Sequence, residues 1–268
     1  MAIQYPAIDP VAFSVGPLSV HWYGITYLVG FSAAWLLANY RARQPGSGWN
    51  SEQVSDLIFY GAVGIILGGR LGYGLFYAND QLFSDPLWLI KLQQGGMSFH
   101  GGFLGSLAAM TYFTWKSKKS WLAIGDFISP MVPIGLGAGR IGNFINGELW
   151  GRATEMSWGM VFPGDTLQLV RHPSQLYQSL LEGLMLFAVL WWFSSRARPR
   201  GAVGGLFVAG YGVARIIGEF FREPDAHIGF VGGNWLTMGM LLSVPMVLFG
   251  IGLMIWAYKT QGANPRSV

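Results

Sequence analysis

Six ionisable side chains interrupt stretches of the sequence that are otherwise apolar: Arg70, His100, Arg140, Glu182, Arg215 and Glu219. Tyr23 and Asn143 are polar companions in similar surroundings. Ionisable residues are rare inside apolar segments of membrane proteins, because burying a charge in hydrocarbon is costly, and they commonly mark a substrate site. Several arginines without a lysine favour a planar, forked donor for a phosphate or a carboxylate.

The spacing of these residues places several of them on shared helix faces. Arg215 and Glu219 are four residues apart, so they can pair on one side of a helix, and Tyr211 extends that face by one turn. Arg140 and Asn143 are three residues apart, which again puts two polar groups on one side. The two arginines therefore predict an anion site, and a phospholipid headgroup is the abundant anion of a bilayer.

Each candidate also has a purely structural interpretation. An intramembrane arginine can be one half of an ion pair with a glutamate on a neighbouring helix. His100 can be a hydrogen-bonded packing residue, and Tyr23 an anchor at the membrane interface. For Glu182 we prefer the structural interpretation, as a hydrogen-bond partner.

The composition indicates that these residues lie in a membrane. The chain is 52% hydrophobic and carries only 11% Asp, Glu, Lys and Arg, whereas soluble domains carry about 25% charged residues. The absence of cysteine excludes disulfide scaffolds, thiolate metal sites and enzymes with a cysteine nucleophile of their own. The four histidines are far apart and form no zinc motif, so we predict no metal and no cofactor.

Seven apolar stretches have the length that crosses a bilayer, about 20 residues. They are residues 20–40, 57–77, 97–115, 121–145, 175–194, 203–221 and 235–258. We therefore predict an all-α polytopic membrane protein with seven transmembrane helices, formed by residues 1–268 as a single transmembrane domain.

The basic residues alternate between the connections of these stretches. Alternate connections and the C-terminal tail hold Arg41, Arg43, Lys116, Lys118, Lys119, Arg196, Arg198, Arg200, Lys259 and Arg266. The other connections are poor in lysine and arginine for their length and contain Asp80, Asp85, Glu148, Glu155, Asp165, Glu223 and Asp225. Because basic loops stay in the cytoplasm, the N-terminus is predicted outside and the C-terminus inside. The net charge of +4 then needs no nucleic acid partner to explain it.

One connection is long enough to fold on its own account. Residues 146–174, between the fourth and fifth helices, mix charged and aromatic side chains, and loops of this length are commonly functional. We predict a small cap on the outer side of the membrane. With a rise of about 1.5 Å per helical residue, Arg140, Arg215, His100 and Tyr23 fall in the outer half of the membrane, and Glu182 falls nearer its midplane.

Four motifs resemble those of a known family. The longest is GRIGNFINGELWGR at residues 139–152, which we call the signature run. SFHGG at residues 98–102 and RHPSQLY at residues 171–177 agree in order, as does Tyr211-Gly212 followed by Arg215, Glu219 and Arg222. Over essentially its whole length, the chain resembles bacterial prolipoprotein diacylglyceryl transferases.

The resemblance implies a multi-pass enzyme of the bacterial inner membrane, with its active site towards the periplasm. Such an enzyme transfers the sn-1,2-diacylglyceryl group of phosphatidylglycerol to the lipobox cysteine thiol in a prolipoprotein signal peptide. The products are a thioether-linked lipid and glycerol 1-phosphate. The expected partners are therefore phosphatidylglycerol, prolipoprotein signal peptides and the lipid bilayer.

The resemblance also assigns residues to roles. It implies phosphate binding by Arg140 and Arg215, and phosphatidylglycerol binding that includes Asn143, Asn146, Gly151 and Tyr211. Catalytic importance falls on the two arginines and on Tyr23, His100, Glu148 and Glu219. On chemical grounds we expect His100 to be the base or proton relay, and Glu148 or Glu219 to orient an arginine.

Two other classes of protein fit the same arginines. One is a membrane transporter for an organic anion, which commonly shows inverted repeats and interrupted helices at the midplane. The sequence has no visible repeat, and its polar residues lie towards the outer side. The other is a lipid-binding scaffold without catalytic activity.

Overall fold

The computed structural model describes residues 3–6, 8–16, 18–224 and 228–261. Asp225 and Arg266, which the charge pattern included, lie outside this range. Helices dominate and follow all seven apolar stretches. The helices are α1 Trp22–Ala42, α2 Ser51–Tyr77, α3 Asn79–Ser84, α4 Phe99–Ser117, α5 Trp121–Ile128, α6 Val132–Ile145, α7 Ser174–Gln178, α8 Leu186–Phe193, α9 Ala202–Glu219 and α10 Met238–Gln261.

Among the described residues, four helical stretches are long and apolar enough to cross a membrane by themselves: Ser51–Tyr77, Ser174–Phe193, Ala202–Glu219 and Met238–Thr260. The pair α5 and α6 forms a fifth candidate, bent by 51° at a short break. The protein is therefore a multi-pass membrane protein.

Short strands accompany the helices, which the all-helical prediction did not include. In the described residues they are β1 Ile3–Gln4, β2 Val11–Val15, β3 Leu18–His21, β4 Met160–Val161, β5 Val170–Arg171, β6 Phe230–Gly232 and β7 Leu236–Thr237. Strand β4 lies between β1, which is parallel to it, and β5, which is antiparallel. Strands β2 and β3 form a hairpin, as do β6 and β7. Strand β3 overlaps the start of the first apolar stretch and β7 the start of the last, whereas the other strands lie in the connections.

The chain divides into two compact units, Asn39–Ile124 and the remainder, Met1–Ala38 with Gly125–Val268. In the second of these, helix α9 packs along α10 through small residues. A Cβ atom on Gly250 would lie 2.5 Å from the Gly205 carbonyl oxygen, and one on Gly205 would lie 2.8 Å from the Gly250 carbonyl oxygen, so neither glycine position has room for a side chain. The carboxylate of Asp126, which is buried, accepts hydrogen bonds from the amides of Gly201 and Gly204 at 2.6 and 2.7 Å and so caps the start of α9.

In the unit Asn39–Ile124, Arg70 has a structural role. Its side chain is fully buried and lies over the ring of Trp88, 3.5 Å from the ring centre. It donates hydrogen bonds to backbone carbonyls in the connection between α3 and α4, those of Trp88, Leu89, Lys91, Gly95 and Gly96. This intramembrane arginine therefore organises a connection that has little regular structure of its own, so its candidacy for the anion site is not supported.

The close packing of α2 on α4 in this unit depends on glycine. A Cβ atom on Gly68 would lie 2.4 Å from the carbonyl oxygen of Gly101 and 2.8 Å from the Cα atom of Gly105. The same helix α2 carries Gly61, where an added Cβ would meet nothing within 4 Å. Gly68 and Gly61 therefore lie on the same helix, but only Gly68 is in close contact with another helix.

We expect Gly68→Ala to lower the free energy of unfolding by about 1–3 kcal/mol, because backbone atoms of α4 cannot move away without separating the helices. Gly61→Ala is the matched control, and it should leave stability unchanged or raise it by up to about 1 kcal/mol, since alanine is the better helix former. Denaturant unfolding of both variants in detergent micelles measures the difference. Equal stability of the two variants would contradict this account of the packing.

Candidate active site

The two predicted arginines meet on one buried carboxylate. Glu182 is fully buried, and one of its oxygens, Oε2, accepts hydrogen bonds from Nε and Nη2 of Arg140 at 3.1 and 2.9 Å. Its other oxygen, Oε1, lies 4.0 Å from Nη1 of Arg215. Both arginine side chains are 16% exposed, so each keeps limited access to its surroundings. We call Arg140, Arg215 and Glu182, together with Glu219, the arginine cluster.

Glu219 completes the cluster from helix α9. Its Oε1 lies 2.7 Å from Nη2 of Arg215, four residues earlier, which is the ion pair that the spacing predicted. Its Oε2 accepts a hydrogen bond of 2.5 Å from the hydroxyl of Thr237. Two positive and two negative charges therefore balance within the cluster, as buried ions require.

An unusual helical segment delivers Glu182 to this position. Helix α7 continues into a π-helical turn, Ser179–Met185, which leads into α8. Wide turns of this kind occur frequently at functional sites. The backbones of α6 and the π turn are in contact, because a Cβ on Gly183 would lie only 2.8 Å from the Cα of Gly137. Arg140, one helical turn after Gly137, is thereby brought alongside the π turn.

The structure fits the prediction for Glu182 and changes part of that for Glu148. Glu182 is a hydrogen-bond partner, as preferred from the sequence, and it pairs with the arginine on α6. Glu148 contacts no arginine in the described residues. Its Oε1 accepts hydrogen bonds from the side chains of Asn143 at 2.9 Å and Asn146 at 3.3 Å. The arginine-orienting glutamates are therefore Glu182 and Glu219.

Tyr23 and Tyr211 flank these groups. Tyr23 packs its ring against α6, where a Cβ on Gly142 would lie 2.8 Å from the ring, and its hydroxyl is 3.2 Å from that of Tyr27. Tyr211 is half-buried and lies within electrostatic range of Arg140, Arg215 and Glu182. The structure thus brings Tyr211 together with the arginine cluster, and Tyr23 together with the helix that carries Arg140 and Asn143.

His100 belongs to the unit Asn39–Ile124, whereas the arginine cluster belongs to the other. It is the second residue of α4, is exposed, and contacts the ring of Phe99 edge to face at 5.6 Å. The hydroxyl oxygen of Ser98 accepts a hydrogen bond from the amide of Gly101 and caps this helix start. The role of His100 as a base therefore stays a prediction.

The connection 146–174 packs on the C-terminal end of α9. The amide of Gly151 donates to the carbonyl of His172 at 2.9 Å, and that of Arg152 to the carbonyl of Phe221 at 2.9 Å. A Cβ on Gly151 would lie 2.4 Å from the Phe221 oxygen, so no side chain fits there. The side chain of Arg152 donates to the carbonyl of Glu219 at 3.1 Å and so caps the helix that carries Arg215.

A second ion-pair group holds this connection together. Arg171 is buried and contacts Asp165 through two hydrogen bonds, of 2.6 and 3.1 Å, and Glu223 through one of 3.1 Å. It also donates to the carbonyl of Gly151 at 3.3 Å. The guanidinium of Arg171 lowers the pKa of Asp165 to about 2, and Asp165 raises the pKa of Arg171. Burial lowers the pKa of the adjacent His172.

Sequence reasoning did not single out several residues that position the site. Tyr5 precedes the first helix, yet its hydroxyl donates to the carbonyls of Phe144 and Ile145 at 2.6 and 2.8 Å. Gln175 donates to the Glu148 carbonyl at 2.6 Å. For Gln175, the position in the RHPSQLY motif could have indicated a role in the site. For Tyr5, nothing in the sequence indicated a contact with the end of α6.

Comparison with known proteins agrees with the motifs. Residues 10–256 match the sequence model of a family described as prolipoprotein diacylglyceryl transferase. Relatives named phosphatidylglycerol–prolipoprotein diacylglyceryl transferase occur in Acinetobacter baumannii strain ACICU, with 57% identity over 97% of this chain and 96% of the relative. Proteins of the same name occur in Pseudoalteromonas translucida, with 55% identity over 97% and 96%, and in Marinomonas strain MWYL1, with 56% identity over 96% of each chain.

We expect Asp165→Asn to destabilise the connection 146–174 by about 3 kcal/mol, because it removes one partner of a buried ion pair. The low pKa of Asp165 means that the wild-type pair is intact above pH 4 and is lost as the pH falls towards 2. Amide hydrogen exchange of residues 165–171 should therefore be faster in the variant at pH 6. The exchange rates of the two proteins should become similar near pH 2. The same difference in exchange rate at pH 6 and at pH 2 would contradict the assigned ion pair.

Proposed function

Because the chain belongs to the prolipoprotein diacylglyceryl transferase family, we propose that it transfers the sn-1,2-diacylglyceryl group of phosphatidylglycerol to the lipobox cysteine of prolipoproteins. The thiolate attacks the glyceryl carbon, a carbon–sulfur bond forms, and the carbon–oxygen bond to the phosphate breaks. Glycerol 1-phosphate leaves, and a thioether-linked lipid remains on the protein. The chain has no cysteine of its own, so the only nucleophilic thiol comes with the substrate.

The arginine cluster carries this proposal. The phosphate of the lipid has one negative charge and leaves as a monoester with nearly two at neutral pH. Arg140 uses Nε and Nη2 on Glu182, which leaves its Nη1 donors for that phosphate. The Nη1 of Arg215 lies 4.0 Å from Glu182, which is too far for a direct hydrogen bond. In this proposal, that nitrogen also donates to the phosphate. Donors aimed at a growing charge lower the barrier more than they strengthen ground-state binding.

The remaining site residues have supporting roles in the proposal. Tyr211, Asn143, Asn146 and Gly151 belong to the phosphatidylglycerol site. Glu148 fixes Asn143 and Asn146 through its hydrogen bonds, and Glu219 orients Arg215. Tyr23, whose ring packs against Gly142 of α6, belongs to the catalytic residues of this proposal.

The proton of the attacking thiol needs an acceptor, and His100 is the residue we assign to it. Imidazole is the side chain that most often acts as a general base in enzymes. The carboxylates of the arginine cluster are occupied by guanidinium groups. They are therefore poorer bases.

We further propose seven transmembrane helices in the bacterial inner membrane, as one transmembrane domain with an N-terminus in the periplasm and a C-terminus in the cytoplasm. Residues 146–174 then form a periplasmic cap beside the arginine cluster. The alternation of basic connections supports this topology. The names of the relatives give the transporter alternative no support.

We expect Arg140→Ala to reduce diacylglyceryl transfer by about 10²–10³-fold or more, because it removes a donor to the leaving phosphate. Mass spectrometry of a lipobox peptide incubated with phosphatidylglycerol and purified protein measures the adduct. Arg196→Ala, at an exposed arginine outside the cluster, is the matched control and should retain full activity. An Arg140→Ala protein that is folded and as active as this control would refute the phosphate-binding role.

The topology is testable because the chain contains no cysteine. Single cysteines replacing the exposed residues Ser120 and Thr166 should react differently with a membrane-impermeant maleimide. In intact cells we expect Thr166→Cys to be labelled and Ser120→Cys to be labelled only after the inner membrane is opened. The opposite pattern, or labelling of both in intact cells, would exclude the proposed orientation.

A further inference from the structure

The side chain of Gln178 is completely buried, and it has no role in the proposed reaction so far. Among the described residues, neither its amide nitrogen Nε2 nor its amide oxygen Oε1 has a hydrogen-bond partner. Leaving both ends of a buried amide unpaired is costly, and native structures rarely do so without a functional reason. The amide is neutral, so an ion pair is not what it lacks. A ligand with both hydrogen-bond donors and acceptors would satisfy it.

Two contacts place this amide at the arginine cluster. Gln178 ends α7, four residues before Glu182, so the two side chains share a helix face. On α9, a Cβ on Gly218 would lie 3.2 Å from the Cγ of Gln178 and 3.6 Å from its Nε2. Gly218 lies between Arg215 and Glu219 in sequence, so the amide packs on the same part of α9 that supplies the cluster.

The cluster itself offers further unpaired atoms. Within the described part of the chain, Oε1 of Glu182 and Nη1 of Arg215 are buried without a hydrogen bond, and they are 4.0 Å apart. Together with the amide they provide donors on two nitrogens and acceptors on two oxygens. Phosphate oxygens are acceptors, so they can pair only with the two nitrogens. A hydroxyl both donates and accepts, so it can pair with the nitrogens and with the oxygens. The pattern therefore matches a phosphate that carries a hydroxylated substituent.

We propose that Gln178 binds the free hydroxyl groups of the glycerol headgroup of phosphatidylglycerol and thereby selects this headgroup. The proposal rests on the proposed function and deepens it, since it names the residue that recognises the part of the lipid beyond the phosphate. An ethanolamine headgroup, with an ammonium that only donates, leaves Nε2 of Gln178 unpaired and brings a positive charge towards Arg215. A site built to pair a hydroxyl discriminates against lipids that lack it.

A comparison of substrates with and without each hydroxyl tests this role. The donors are phosphatidylglycerol, phosphatidyl-1,3-propanediol and phosphatidyl-1,2-propanediol, each with the same acyl chains and a lipobox peptide as acceptor. For the wild-type enzyme we expect kcat/KM to fall roughly 3- to 10-fold when the recognised hydroxyl is missing. In Gln178→Met, which keeps a side chain of similar length without hydrogen-bonding atoms, phosphatidylglycerol should lose that advantage.

Gln81→Met, at an exposed glutamine of α3, is the control and should keep the wild-type preference. A Gln178→Met enzyme with the full wild-type preference would overturn the role of Gln178, as would a wild-type enzyme indifferent to both hydroxyls. A wild-type enzyme without transfer from any lipid would instead refute the proposed function. If Gln178→Met does not fold, Gln178→Asn withdraws the amide by one methylene and enters the same comparison, where it should also lose the preference.

Discussion

The site is organised by the need to balance charge inside apolar surroundings. A lone arginine or glutamate there would be strongly destabilising, and the arginine cluster contains two arginines and two glutamates. Glu182 is central, since it is fully buried and lies between Arg140 and Arg215, at 2.9 and 4.0 Å. This need for charge balance accounts for two features of the backbone. The π turn carries Glu182, and the close contact of Gly137 with Gly183 brings α6 alongside that turn. Removing Glu182 would leave Arg140 without its carboxylate partner and Arg215 with Glu219 alone.

A second set of contacts fixes the polar ends of the helices that meet at the cluster. The carbonyls at the end of α6 accept hydrogen bonds from Tyr5, which directly follows strand β1, and β1 pairs with β4 in the connection 146–174. The end of α9 is capped by Arg152, and Gly151 lies too close to Phe221 to carry a side chain. Helix ends leave backbone groups unpaired, and satisfying them here also joins the N-terminal segment, the connection 146–174 and α9. Asn143 and Glu148 are held at this junction by the same packing.

The sequence predicted what depends on spacing along one helix and missed what depends on distant segments. The pair of Arg215 and Glu219 follows from a separation of four residues and is confirmed. Arg70 resembled the other intramembrane arginines in sequence, but its partners are backbone carbonyls of a connection, which carry no signature in residue type. Gln178 gives no signal in the sequence, because a neutral amide becomes conspicuous only when its burial is known. The short strands are two to five residues long, too short to give an alternating pattern.

Charge balance before substrate binding has a consequence for the proposed catalysis. If Arg140 and Arg215 were unpaired, they would bind the phosphodiester tightly, and much of their attraction would be spent on the ground state. With Glu182 and Glu219 as counter-ions, the cluster has no net charge, so the first negative charge of the lipid is held moderately. As the carbon–oxygen bond breaks, the leaving phosphate gains a second charge, and the donors not committed to carboxylates respond to that increase. The carboxylates hold the guanidinium groups in place before the substrate binds, so the free donors are already oriented when the second charge develops.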